Sequence, residues 1–237
     1  MSKRAVILAG GRGTRLHPYT VVLPKPLMPI GEYPILEVII RQLVTAGFDH
    51  ITLAVNHQAE IIKAFFQDGA RWGILIDYSL EDKPLGTMGP LKLINNLPDN
   101  FLVTNGDVLT DLDFGSFYDT HLIKKNIFTI SSKQRQHNID YGVLDTNENG
   151  VLTGFREKPS VEYQVSMGVY MVNTEALTFI PTNCSYGFDQ LMLDLLAAGK
   201  PAGVQAFDGY WLDIGRPDDY IKAIEEFEAM KSRFIHV

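Results

Sequence analysis

Through the first hundred residues, short apolar runs alternate with stretches whose apolar positions recur every three or four residues. "RAVIL" (4–8) is short, apolar and stopped by glycine, which predicts a buried strand. "PILEVIIRQLVTAG" (34–47) predicts a helix. Pro34 takes its first position, Leu36, Ile39, Ile40, Leu43 and Val44 share one face, and Gly47 closes it. "HITLAV" (50–55) predicts a second strand, "AEIIKAFF" (59–66) a second helix and "GILIDYS" (73–79) a third strand. "GTMGPLKLINN" (86–96) predicts a third helix, and "FLVTNGD" (101–107) contains a fourth strand. Alternation of this kind implies right-handed crossovers and an open, mostly parallel α/β sheet.

The pattern changes in the second half. "YGVLDTNENGVLTGFREKP" (141–159) predicts a hairpin, two β-type runs joined by turn residues. "SMGVYMVN" (166–173) predicts a strand and "FDQLMLDLLAAG" (188–199) a helix stopped by Gly199. "GYWLDIG" (209–215) predicts a short strand, followed by a last helix in "PDDYIKAIEEFEAMKS" (217–232) with acidic residues in its first turn. No repeat or low-complexity linker interrupts the chain, so residues 1–237 read as one α/β domain with a later, β-rich lobe.

Bulk properties narrow the partners. The formal net charge of -7 argues against nucleic acid or an anionic membrane surface. No apolar run is long enough to span a bilayer, and the run after Arg4 is too short for a secretory leader. With Cys184 as the single cysteine, no intramolecular disulfide can form, and a reducing, cytoplasmic setting is expected. Nothing in the pattern speaks for or against a homo-oligomer.

One segment runs against the acidic balance. "LAGGRGTRLHPYTVVLPKP" (8–26) follows the first strand, where the carboxyl end of a parallel sheet receives ligands, and holds Arg12, Arg15 and Lys25. It is not a P-loop, because Gly13 is followed by Thr14-Arg15 rather than by Lys and Ser or Thr; nor is it a dinucleotide fingerprint, because Leu16 stands where the third glycine belongs. What remains is a glycine loop whose N–H groups can nest an anion, with cations close by and Lys25 set between two prolines. A polyphosphate is the matching ligand class.

Together with "PKPLMPIG", "EDKPLGTMGPL", "VTNGDVL", "DYGVLD", "FREKP" and "YWLDIGRPDDY", the loop closely resembles the sugar-1-phosphate nucleotidyltransferases, the nucleotide-sugar pyrophosphorylases. The motifs are in the family's order and cover nearly the whole chain. They look most like the guanylyltransferases acting on mannose-1-phosphate or heptose-1-phosphate. The resemblance implies the nucleotide-diphospho-sugar transferase fold, a Rossmann-like sheet with a small sugar-binding lobe. It implies a nucleotide-binding half at about 1–112 and a sugar-binding half at about 113–237. It also implies formation of a nucleotide sugar and pyrophosphate from a sugar-1-phosphate and a nucleoside triphosphate. GTP is favoured, with dTTP, UTP or CTP as alternatives.

By that resemblance the nucleotide site comprises Leu8, Ala9, Gly10, Gly11, Gly13, Thr14, Arg15, Lys25, Asn56, Glu81, Gly86, Thr87 and Asp107. The sugar-phosphate site comprises Tyr141, Gly142, Glu157, Lys158, Ser166 and Gly168. Arg15, Lys25, Asp107, Lys158 and Asp213 carry the reaction, and Asp107 with Asp213 holds Mg²⁺. From the residues alone other readings stay open. Asn105-Gly106 can close a hairpin, Asp213 can cap a helix or pair with Arg216, and Lys158 can pair with Glu157. Asp111-Leu112-Asp113 is either a solvated helix start or the metal motif of a glycosyltransferase. A non-catalytic regulator typically loses loop cations or metal aspartates, whereas all five key residues are present here. Two departures concern specificity. Ser166 replaces an asparagine common in the family, and Met88 a small residue, so that Met88 either narrows the base site or faces the core.

Overall fold

The structure is a computed structural model that describes residues 2–56 and 58–235. In chain order the elements begin with β1 (Arg4–Leu8), the two-residue strands β2 (Pro29–Ile30) and β3 (Tyr33–Pro34), and α1 (Ile35–Thr45). There follow β4 (His50–Val55), α2 (Ala59–Phe66), β5 (Leu75–Leu80), β6 (Asn100–Asn105), β7 (Val108–Thr110), α3 (Phe114–Lys124) and β8 (Phe128–Asn138). The chain continues through β9 (Val143–Thr146), β10 (Leu152–Arg156), β11 (Ser160–Asn173), α4 (Phe188–Ala197), β12 (Gly203–Ala206), β13 (Trp211–Asp213), α5 (Pro217–Ala229) and α6 (Lys231–Phe234).

Seven strands form one sheet in the order β12-β8-β11-β6-β1-β4-β5. β1 runs parallel to β4 and β6, β4 to β5, and β12 to β8, while β11 is antiparallel to both of its neighbours. β4 and β5 extend the sheet on one side of β1, and the chain then returns to place β6 on the other side. That reversal is a topological switch point, which opens a crevice beyond the carboxyl ends of β1 and β6. Leu8 and Asn105 are register partners there, and the Gly106 N–H donates to the Leu8 carbonyl at 3.0 Å, so the two exit turns are tied together.

The expected helix face is the core face. Leu36, Ile39, Ile40 and Leu43 are all at most 1% exposed in the cluster on one side of the sheet. Each such side chain contributes roughly 1.5–3 kcal/mol through burial. A second cluster, with Phe101, Phe128 and Leu191, fills the other side. Pro34 precedes the first helical residue rather than occupying it, and Gly47 at φ +81° closes that end as expected.

Three expectations are corrected or completed. Residues 86–96 do not form an α-helix; Gly86, Gly89 and Pro90 reduce the helical part to a 3₁₀ turn over Gly89–Leu93. The strand expected at 166–173 begins six residues earlier, because β8 supplies a ladder partner for Ser160–Ser166. α3, β8 and β12 were not legible in the pattern. α3 buries Tyr118 and His121 while Ile123 stands 80% exposed, which breaks its apolar stripe. The outer half of β8, "KQRQHN", has no apolar residue to alternate with polar ones.

His121 is fully buried, with Nδ1 2.8 Å from Thr129 Oγ1 and Nε2 3.0 Å from Asn100 Oδ1. Burial pushes its pKa down to about 4 from 6.5. The neutral ring therefore stabilises the fold fully above pH 6.5, and this contribution is lost as pH falls toward 4, on the order of 3 kcal/mol in total. Urea denaturation between pH 4 and 7.5 should show this loss in the wild type and a flatter dependence in His121→Gln. Equal pH dependences would exclude His121 as the titrating group.

Candidate active site at the switch point

The loop after β1 leaves the sheet through Gly10 and Gly11 and turns at Gly13. There φ is +61°, and a Cβ would stand 2.9 Å from Thr20 Cγ2. The Thr20 hydroxyl donates to the Gly13 carbonyl at 2.7 Å and holds the turn. Among the described residues, the N–H groups of Gly10, Gly11, Arg12 and Gly13 have no protein acceptor. A run of open N–H donors beside a cavity is the geometry that an anion nest requires.

The cavity is about 400 Å³ and lies against this loop. Of the predicted nucleotide residues, Leu8, Gly10, Gly11, Asn56, Glu81, Gly86, Thr87 and Asp107 line it. Arg12 and Asn105 line it too, and neither was among the predicted contacts. Arg12 was visible as a loop cation, but nothing in the spacing distinguished it from Arg15. Ala9 is buried and its N–H donates to the Ala54 carbonyl at 2.8 Å, so it holds the loop to the sheet. Thr14 and Arg15 form a short turn, and Arg15 lies alongside Gly215, with Nη2 3.5 Å from the place of a Cβ there. Thr87 Oγ1 accepts the Phe188 N–H at 2.9 Å, which anchors the start of α4 to the cavity wall. Met88 is fully buried in the core, so of its two expected orientations it takes the core one.

Glu81 is buried at the inner end of the cavity, and its Oε2 accepts the Leu85 N–H at 3.1 Å. Burial raises its pKa, and that one hydrogen bond opposes the rise. Its second oxygen, Oε1, has no hydrogen-bond donor among the described residues.

Asp107 and Asp213 meet at the mouth. β6 and β7 do not pair with each other, so Asn105-Gly106 is not a hairpin turn; β7 pairs instead with β13. In that ladder Asp213 lies opposite Val108, and the Ile214 N–H donates to the Asp107 carbonyl at 3.1 Å. Asp213 neither caps α5 nor pairs with Arg216. Burial raises the Asp213 pKa and the Asp107 charge raises it further, while Lys25 and Arg15 pull it down. Lys25, 9% exposed within a 3₁₀ turn between its prolines, forms an ion pair with Asp107 Oδ2. Asp107 Oδ1 is buried and has no partner. An orphaned carboxylate oxygen beside a second carboxylate suits a hard divalent cation whose remaining ligands come from phosphate and water. Among the described residues no cluster of three or more His, Cys, Asp or Glu side chains offers a closed metal cage.

The D-x-D motif is structural. Asp113 caps α3 by accepting the Ser116 N–H at 2.9 Å, and Asp111 accepts the Tyr210 N–H at 2.6 Å and pairs with Arg233. Asp111 is engaged through both of its oxygens and Asp113 through its capping one, which matches the helix-start reading of this motif.

The predicted sugar residues fall into two groups. Ser166 and Gly168 lie next to the crevice. Gly168 has φ +75°, and a Cβ there would stand 2.5 Å from the Asn105 amide nitrogen. The Ser166 hydroxyl donates to Tyr170 Oη at 3.1 Å and accepts the Gly168 N–H at 3.2 Å. Tyr141, Gly142, Glu157 and Lys158 belong to the β9–β10 hairpin region. A Cβ on Gly142 would stand 2.7 Å from the Phe155 ring and 3.4 Å from Glu157 Oε2. Lys158 is exposed at φ +43°, and it forms no ion pair with Glu157. Among the described residues no hydrogen bond or ion pair joins this hairpin group to Asp107 or Asp213.

A switch-point crevice, a loop of open N–H groups and a carboxylate pair beside a lysine thus come together at the carboxyl ends of β1 and β6 in this α/β fold. The sequence profile of the nucleotidyl transferase family matches residues 4–230, and the chain belongs to that family. It is 37% identical to a UTP–glucose-1-phosphate uridylyltransferase of Synechocystis, over 93% of this chain and 62% of that protein. It is 30% identical to a mannose-1-phosphate guanylyltransferase of Mycobacterium tuberculosis, over 92% of this chain and 62% of the relative. The chain thus spans about three-fifths of the length of these relatives. Among solved structures, HddC from Yersinia pseudotuberculosis complexed with GMP-PN superimposes with a TM-score of 0.71 at 28% identity, covering 95% of this chain and 99% of that one. A glucose-1-phosphate thymidylyltransferase structure from Bacillus anthracis shares the fold, with a TM-score of 0.76 at 21% identity over 100% of this chain and 97% of that one. No helix among the described residues is long and apolar enough to cross a membrane.

Removing Lys25 alone leaves Asp107 unpaired and partly buried next to Asp213. Lys25→Met should therefore destabilise the fold by about 2 kcal/mol, below the fully buried range because Asp107 is partly wet. Lys25→Met combined with Asp107→Asn should recover most of that loss. Urea denaturation of the two single variants and the double variant checks this, and strictly additive effects would mean that the pair contributes no coupling.

Proposed function

We propose that this chain transfers a nucleotidyl group from a nucleoside triphosphate to a sugar-1-phosphate, releasing pyrophosphate. The observation that carries the reading is the meeting of Asp107, Asp213 and Lys25 at the mouth of a cavity walled by the open N–H groups of the Gly10–Gly13 loop. An oxygen of the sugar phosphate attacks the α-phosphorus in line, opposite the leaving pyrophosphate. That oxygen is anionic near neutral pH, so the step requires no general base, and the protein's task is positioning and charge neutralisation. The loop N–H groups, Arg12 and Arg15 hold the pyrophosphate portion. Lys25 exchanges part of its contact with Asp107 for the α-phosphate as charge redistributes. Ser166 and Gly168 face the sugar, and Lys158 holds the acceptor phosphate with the hairpin against the crevice. Asp107 and Asp213 would hold Mg²⁺, which when bound neutralises phosphate charge. Residues up to about 112 serve the nucleotide and the remainder the sugar.

For the base we favour guanine. A carboxylate in its anionic form is an acceptor only, so Glu81 in that form suits guanine, which offers two adjacent donors, N1–H and the N2 amino group, on one edge. Uracil and thymine offer one donor between two acceptors. The guanylyltransferase names among the relatives and the GMP-PN complex of HddC support the same reading, and the uridylyltransferase name of the Synechocystis relative supports the alternative, UTP.

Pyrophosphate release should be measured with the four triphosphates against a panel of sugar-1-phosphates. GTP should show the highest kcat/KM, and Glu81→Gln, which adds a donor, should lower the GTP-to-UTP ratio at least tenfold. An unchanged ratio would remove Glu81 from base reading, and a wild-type preference for UTP would overturn guanine. Activity should vanish in chelator and return with Mg²⁺; full activity in chelator would remove the metal role of the two aspartates. Lys25→Ala should cost on the order of 10²–10³ in kcat as the loss of one preorganised donor.

A further inference from the structure

The lobe beyond the crevice holds a cation with no partner. Lys133, Arg135 and His137 alternate along one face of β8, opposite Val165, Tyr163 and Val161 of β11. Lys133 is committed, since its ammonium donates to the carbonyls of Asp208 and Gly209, each at 2.7 Å. Arg135 is exposed and, among the described residues, has no carboxylate within 4.0 Å and no hydrogen-bond acceptor. Its guanidinium lies over the Trp211 indole, 4.9 Å from the ring centroid. Trp211 is itself fixed, half-buried, with its Nε1–H donating to the Met167 carbonyl at 2.9 Å. A guanidinium held over the face of an anchored indole is restricted in its position, and its N–H groups remain available to an anion.

The position of this pair is informative. Trp211 and Asp213 are two apart on β13 and share a face, about 7 Å from each other along the strand. The carbonyl that fixes Trp211 belongs to Met167, between Ser166 and Gly168. Arg135 therefore stands over Trp211, two residues along β13 from Asp213, where Trp211 meets the Ser166–Gly168 segment. An acceptor phosphate placed at Asp213 would direct the remote end of its sugar toward Arg135.

We propose that Arg135 is a specificity-determining residue that receives a second anionic group, a carboxylate or a phosphate ester, at the end of the sugar remote from its anomeric phosphate. The proposal rests on the nucleotidyltransferase reading. A guanidinium with no internal carboxylate gains most from a charge-assisted, two-pronged partner, which a neutral hydroxyl does not supply.

The test compares wild type, Arg135→Ala and Arg135→Lys with three acceptors. These are a neutral hexose-1-phosphate, the corresponding hexuronic acid 1-phosphate and the hexose 1,6-bisphosphate, each with GTP and with UTP. In the wild type, kcat/KM for one of the two doubly anionic acceptors should exceed that for the neutral one at least tenfold, and the better one identifies the group. Arg135→Ala should lower that ratio tenfold or more through KM for the charged acceptor. It should leave KM for the triphosphate and for the neutral acceptor within twofold and the melting temperature unchanged. Arg135→Lys should fall between the two. A wild-type preference for the neutral acceptor, or an unchanged ratio in Arg135→Ala, overturns the proposal. If no combination releases pyrophosphate, the reaction reading fails, and calorimetric binding of the same acceptors decides the matter of Arg135. Tighter binding of a charged acceptor that is lost in Arg135→Ala supports its role, and equal binding overturns it.

Discussion

Two carboxylates, Asp107 and Asp213, are held side by side in a partly buried crevice, and their mutual repulsion is the constraint on which the site is arranged. Burial makes Asp213 harder to ionise, and the neighbouring Asp107 charge adds to that cost. Lys25 and Arg15 offset part of it. The remaining imbalance is the buried, unpartnered Oδ1 of Asp107, an oxygen whose desolvation no protein donor repays. A buried carboxylate oxygen without a protein donor is a place where a bound cation would be accommodated, and this one lies at the centre of the proposed chemistry.

The rest of the architecture brings these groups together without letting them neutralise one another. Asp107 comes from the turn after β6, Asp213 from β13, Lys25 from a 3₁₀ turn and Arg15 from the glycine loop. None of these segments holds the arrangement alone. The Gly106 N–H bond to Leu8 ties the β6 exit to the β1 exit, and the Ile214 N–H bond to Asp107 ties the last strand to both. The prolines around Lys25 place its ammonium on Asp107 from a buried backbone. A lysine on a freely moving loop would have spent its charge in solvent.

The two sides of the crevice are built differently. The wall proposed for the nucleotide is continuous with the core; Glu81 is buried and Met88 packs wholly inside. The wall proposed for the sugar is a long two-stranded ladder, β8 with β11, ending in a hairpin whose Leu144 and Phe155 are more than half exposed. Isolated hairpins are marginally stable, so this lobe can adjust at low cost, while the nucleotide side is set by the packing of the main sheet. An acidic chain with a cationic loop on one side and an unpartnered arginine on the other directs its positive charge where two anionic substrates would enter.

Much of this was legible in the order of residues. The helix of residues 35–45, the strands around Leu8 and Asn105, and the hairpin of residues 143–156 follow from local periodicity and turn chemistry, which act over a few residues. The glycine loop drew attention as a candidate anion site because its composition contradicts that of the whole chain. The order of residues did not decide which loop cation lines the cavity, whether Asn105-Gly106 closes a hairpin, or whether Asp111 and Asp113 hold a metal. Those outcomes depend on partners far away in sequence: β13 taking β7 from β6, Arg233 reaching Asp111, and Trp211 coming to lie under Arg135. A charged side chain has the same local signature whether it is paired, free or facing an orphaned oxygen. Only the long-range packing that sets its neighbours and its exposure to water distinguishes these states.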